Sequence, residues 1–144
     1  MAGEYPRRIE ISPWGFWGHS VAGGTITRGQ GSTFLSGGRI IQGTPAINNE
    51  IGWNVLIGSG TWEITTIHRT GNDAGTYTVK LDSTTVGTFD GYTAADTNNV
   101  VSTISSISVG SSGIYTLKFV MASKNASSSN YYYKIQWITL QRTA

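Results

Sequence analysis

Residues Gly60-Thr-Trp-Glu-Ile-Thr-Thr-Ile-His-Arg-Thr-Gly-Asn-Asp-Ala-Gly-Thr-Tyr-Thr-Val-Lys-Leu-Asp82 decide the fold class. From Thr61 to Arg69, Trp62 and Ile64 alternate with Glu63 and Thr65, the period of two that marks a strand with one buried face. Thr70-Gly-Asn-Asp-Ala-Gly75 is dense in turn formers. Beyond it, Tyr77, Val79 and Leu81 alternate with Thr78 and Lys80. The stretch reads as strand, turn and strand.

The pattern extends in both directions. Upstream, Glu50-Ile-Gly-Trp-Asn-Val-Leu-Ile57 places Ile51, Trp53, Val55 and Ile57 on one face. Downstream, Asp82-Ser-Thr84 breaks the chain before Thr85-Val-Gly-Thr-Phe89, which completes a hairpin. Val100 to Ile107 reads as a further strand, closed by the turn Gly110-Ser-Ser-Gly113. Ile114 to Met121 puts Tyr115, Leu117, Phe119 and Met121 on one side. Tyr131 to Arg142 begins with Tyr131, Tyr133, Ile135 and Trp137 on one face, with Tyr132, Lys134, Gln136, Ile138 and Leu140 opposite. Its apolar face changes partway, as in a strand that twists across a sandwich or is covered on both sides, for instance by a neighbouring subunit.

No window sustains the i, i+3, i+4, i+7 spacing of a helix. Strands spaced ~8–12 residues apart with turns between them predict an all-β, jelly-roll β-sandwich of about eight antiparallel strands. Residues 46–144 form its core in this reading. Residues 1–45 form an irregular N-terminal arm or edge segment packed on the same domain, since they are too few to bury a core of their own. That segment carries Pro13-Trp-Gly-Phe-Trp-Gly18 and paired glycines, with Arg39-Ile-Ile-Gln42 its clearest strand.

At 144 residues the chain is one domain's worth. The absence of cysteine excludes disulfides, thiolate metal sites and a cysteine nucleophile. Charged residues make up 12% of the chain, about half the usual share, so hydroxyls and amides solvate its surface. The net charge is +2, but the basic residues are scattered and only Arg7 and Arg8 adjoin, which argues against a nucleic-acid partner. The N-terminus lacks the apolar segment of a secretory signal, and no apolar run approaches the ~18 residues of a membrane span.

Catalytic chemistry has little to start from. The histidines are His19, read as a loop residue, and His68, read as a partly exposed strand residue with no acid beside it. No G-x-S-x-G elbow or phosphate loop occurs. Nothing selects a carboxylate pair among Glu4, Glu10, Glu50, Glu63, Asp73, Asp82, Asp90 and Asp96, so no catalytic residue is assigned and an enzyme is not expected. Asp90 and Asp96 offer oxygen ligands of the type calcium takes, but their spacing matches no EF-hand; no metal or cofactor is assigned. The sequon Asn125-Ala-Ser127 carries no weight without a signal segment.

The aromatic residues carry more information. Alternation sends Tyr132 opposite to Tyr131 and Tyr133, so at least one ring of the three meets solvent, ligand or another chain. Trp14 and Trp17 raise the same question within their glycine-rich segment. Trp14, Trp17, Tyr131, Tyr132 and Tyr133 are the candidate ligand or interface residues.

The run from Gly60 to Asp82, together with Tyr115-Thr-Leu-Lys-Phe-Val-Met-Ala-Ser-Lys-Asn-Ala-Ser-Ser-Ser-Asn-Tyr-Tyr-Tyr-Lys-Ile-Gln-Trp-Ile-Thr-Leu-Gln-Arg142, resembles β-sandwich domains of bacteriophage virion proteins. Head-decoration and tail-fibre proteins contain similar segments, which are also similar to the jelly rolls of carbohydrate-binding modules. The resemblance spans about residues 50–142 and carries no catalytic motif. It implies a virion location, a homotrimer, and a capsid protein, another virion protein or a cell-surface glycan as partner. The first expectation is therefore a non-enzymatic virion decoration or tail-fibre protein. The alternative is a monomeric carbohydrate-binding module with some of the same aromatics in an open groove.

Overall fold

The computed structural model describes residues 5–12, 19–23, 25–30, 38–43 and 45–144. Among them lie eleven strands and no helix: β1 (Arg8–Ile11), β2 (His19–Ala22), β3 (Thr25–Gln30), β4 (Gly38–Gly43), β5 (Glu50–Ile57), β6 (Gly60–Thr70), β7 (Thr76–Leu81), β8 (Thr84–Asp90), β9 (Thr97–Val109), β10 (Gly113–Ser123) and β11 (Lys134–Arg142). They form two antiparallel sheets, a jelly-roll sandwich. One runs β3-β4-β11-β6-β9, with β1 also paired to β11; the other runs β2-β5-β10-β7-β8.

About eight strands were expected, and the difference lies in the N-terminal segment. β1 and β4 lie along the same edge of β11, β4 against Lys134 and Ile135 and β1 against Ile138 to Gln141. β2 adds an edge to β5, and β3 an edge to β4. These strands span only four to six residues, so their alternation is brief, and Arg39 to Gln42 within β4 is the one stretch that reads as a strand from sequence.

The core forms where the two inner faces meet. β6 contributes Trp62 and Ile64, β5 Ile51, Trp53, Val55 and Ile57, β7 Tyr77, Val79 and Leu81, and β10 Leu117, Phe119 and Met121. Aromatic rings fill its centre: Tyr77 stacks on Phe119 at 5.4 Å and meets Tyr133 edge-on at 5.1 Å. The buried Trp62 indole N–H donates to Gly58 O at 2.8 Å.

The face change in the last strand has a local cause. Ile135 pairs with His68 and Trp137 with Ile67, so two residues of β6 face three of β11. Gln136 is the extra residue, a β-bulge that shifts the phase by one. Tyr133 and Ile135 point into the core before it, and Ile138 and Leu140 after it. The bulge accounts for the change of phase, and the burial of Lys134 and Gln136 beside Tyr133 and Ile135 shows that both faces are covered where the strand begins.

His68 also differs from its expected exposure. It continues the inward parity of Trp62, Ile64 and Thr66 and is 1% exposed. Its Nε2 lies 2.8 Å from Ser102 Oγ and its Nδ1 3.2 Å from the Tyr77 hydroxyl, partners that a neutral ring satisfies. Burial pushes its pKa down to about 4, with the Asp90 carboxylate opposing the shift.

Candidate functional site

Three loops meet at one end of the sandwich: 71–75 between β6 and β7, 91–96 between β8 and β9, and 124–133 between β10 and β11. Their turn-rich composition leaves many backbone groups without a ladder partner, and the loops satisfy one another. Gly71 N donates to Gly91 O at 2.9 Å, Gly91 N to Gly75 O at 3.0 Å, and Tyr132 N to Asp73 O at 3.1 Å. Ser129 N donates to Asn72 O at 2.8 Å, and the buried Ser128 hydroxyl to Ala74 O at 2.8 Å. Isolated parallel bridges set Tyr92 beside Gly71 and Tyr132 beside Ala74, so these two tyrosines flank one short loop.

Two ion pairs fasten this end to the sheets. Arg69 on β6 pairs with Asp96, and Lys134 on β11 with Asp73. Lys134 is 6% exposed, and its ammonium also lies over the Tyr132 ring at 5.6 Å. Lys124 lies over Tyr131 at 4.9 Å. A Cβ at Gly71 would meet the Asp96 carboxylate and crowd that of Asp73, so the small residue leaves these side chains their present places. Thr93 adds a hydroxyl bridge, 2.9 Å to Thr70 Oγ1 and 2.7 Å to Ala95 O.

The arrangement presents Tyr92, Tyr131 and Tyr132, each partly exposed, among backbone amides, Thr and Ser hydroxyls and Asn72. Its charges are largely consumed in pairs. Such a surface can stack on a flat apolar ring and hydrogen-bond its polar rim.

The sequence candidates separate as follows. Tyr131 and Tyr132 belong to this cluster. Tyr133 lies in the core at 1% exposure, its hydroxyl 3.0 Å from the Asn49 and Phe119 carbonyl oxygens. Its ring packs in the core, where the inward parity it shares with Ile135 places it. Trp14 and Trp17 lie outside the described residues. Tyr92 was missed because the sequence shows it as one aromatic in a polar loop, with nothing to tie it to Tyr132. Asp90 and Asp96 are engaged separately: Asp90 accepts from Tyr92 N at 2.9 Å and Asp96 pairs with Arg69. Among the described residues no group of three or more His, Asp or Glu converges.

No protein-family model matches the chain. No curated protein sequence matches it either. Solved structures do. The chain superposes on part of a Paenibacillus xanthan lyase with a TM-score of 0.75 and 20% identity, over 86% of this chain, and spans only 12% of the lyase. The CBM36-1 domain of a multidomain xylanase from the hindgut metagenome of Trinervitermes trinervoides gives a TM-score of 0.66 and 16% identity, over 95% of this chain and 98% of that domain. CsCBM6-3 from Clostridium stercorarium, solved in complex with cellobiose, gives 0.62 and 16%, over 99% and 100% of the two chains. At these identities the likeness is one of fold, the jelly-roll sandwich seen in carbohydrate-binding modules.

Proposed function

We propose that this protein is a carbohydrate-binding module that holds a neutral glycan at its three-loop end. The observation that carries the reading is the bridging of both Tyr92 and Tyr132 to the 71–75 loop, Tyr92 at Gly71 and Tyr132 at Ala74. Tyrosine rings stack on the apolar face of a pyranose, and the surrounding amides and hydroxyls match its equatorial groups. A pre-built platform loses little entropy on binding, and the hydrogen bonds between these loops supply that rigidity. The paired charges of Arg69, Asp96, Asp73 and Lys134 leave little net field, which suits an uncharged ligand.

Structures of similar fold support the reading: one carbohydrate-binding module was solved with xylotriose and another with xylose. A binding role without catalysis accords with those neighbours and with the scattered carboxylates. The homotrimeric virion protein rests on the sequence pattern of residues 50–142 alone, as does a virion location, and no feature of the three-loop end favours either.

Affinity electrophoresis through gels containing soluble xylan or a soluble β-glucan tests the proposal. The wild-type chain is expected to be retarded in at least one of them, and Tyr132→Ala to migrate as in a blank gel. Equal migration of the wild type in all gels contradicts it.

A further inference from the structure

β9 ends the six-stranded sheet, and among the described residues no strand pairs with its outer edge. At 13 residues it is the longest of the eleven strands. An open edge presents unpaired N–H and C=O groups, and edges that stay single are blunted by brevity, charge, proline or bulges. β2 spans only four residues, β3 contains Arg28 and β8 ends in Asp90. β9 has neither charge nor proline from Thr97 to Val109. Its two bulges, Asn98–Asn99 and Ser105–Ser106, leave an unbroken stretch between them. There Val100 to Ile104 pair in regular register with His68 to Ile64.

Both faces of this stretch carry apolar groups to the edge. Outward, Val101 ends the row Trp137–Ile67–Val101 and is 60% exposed. Inward, Ile104 packs on Gly87 of β8, where a Cβ would collide with it, and Val100 is half-buried.

We propose that β9 pairs with β9 of a second copy of this chain, antiparallel about a two-fold axis at Ser102. This register uses the whole regular stretch. It sets Val100 opposite the partner's Ile104 and Val101 opposite the partner's Thr103, the branched pairs that stabilise a sheet. A strand without charge meets no like charge in its own copy, whereas an acidic or basic peptide gains nothing from it. The contact is isologous and consumes the same edge in both copies, so assembly closes at two. The two-fold axis also turns the two three-loop ends in opposite directions.

Sedimentation of the full chain over a range of concentrations tests the pairing. The expected mass climbs from one chain toward two. Val101→Lys/Thr103→Lys sets lysine opposite lysine twice and should associate at least about tenfold more weakly. Both positions are exposed, so its circular dichroism spectrum should match the wild type. A second measurement reads the register. The chain has no cysteine, so Val101→Cys mixed with Thr103→Cys can form only intermolecular disulfides. Opposed residues of an antiparallel pair stand within disulfide reach. The mixture should cross-link faster than either variant alone and faster than Ile114→Cys, a position 73% exposed on the other sheet. Neither measurement involves a sugar, so each stands apart from the glycan reading. A one-chain mass at every concentration, a three-chain mass, undiminished association of the lysine variant, or cross-linking of the mixture no faster than these controls would each overturn the proposal.

Discussion

Asp73 and Lys134, 61 residues apart in sequence, form an ion pair that ties the 71–75 loop to the first residue of β11. The pair lies beneath Tyr132, whose ring covers the ammonium. Its removal should loosen the loop and the ring together.

Asp73→Asn leaves the buried ammonium without its counter-charge and is expected to cost about 1–3 kcal/mol. Lys134→Met, which keeps an apolar stem and removes the charge, should cost less. Urea unfolding of both variants checks the order; an Asp73→Asn variant as stable as the wild type would show that the pair contributes nothing.

Gly71→Ala should disturb a second fastening. The added methyl group meets the Asp96 carboxylate, which must shift and is expected to weaken its pairing with Arg69. Faster amide hydrogen exchange is expected at Gly71, Gly91 and Thr93, whose N–H groups join the two loops, while the strand centres keep their protection.

Stability should depend on pH through His68. Its folded pKa is depressed by burial to about 4, below the ordinary 6.5 of a solvated imidazole. Between these values the unfolded chain binds more protons than the native one, so stability rises with pH across the window and is lost as pH falls from about 6.5 toward 4. Above the window His68 adds no slope. The full change is about 3 kcal/mol. Denaturant titrations across the window should show this slope, and His68→Gln should flatten it; an equally steep profile in the variant refutes the assignment to His68.

Tyr133 and Tyr132 should respond in opposite ways. Tyr133→Phe keeps the ring contact with Tyr77 and loses the hydroxyl's carbonyl partners, for about 1 kcal/mol of stability and no change in glycan affinity. Tyr132→Ala should leave the melting temperature within a few degrees of wild type yet weaken neutral-glycan binding by about tenfold. Melting curves and binding isotherms on the same preparations distinguish the two.

The strands were legible wherever the ladder is regular. Glu50 to Ile57 was read residue for residue, and β6, β7 and β10 within a few residues of their ends. The misreadings have local causes. A period of two cannot foresee a bulge, so Gln136 made β11 look two-faced. His68 shares the parity of Trp62 and Ile64, a signal present in the sequence but outweighed by the ring's polarity. The three-loop end was less legible, because its fastenings join residues such as Arg69 with Asp96 and Asp73 with Lys134 that only the sheet topology brings together. Tyr131 and Tyr132 stood out because alternation forbids a tyrosine triplet from sharing one face; Tyr92 carried no such mark.

The most direct test of the carbohydrate-binding account is an amide chemical-shift titration of the isotope-labelled chain with xylotriose and with cellobiose. The account predicts saturable shifts at Gly71, Asn72, Tyr92, Thr93 and Ser129 to Tyr132 for at least one of them. Shifts confined to other surfaces, or none with either sugar at concentrations well above those at which such modules bind, would contradict it.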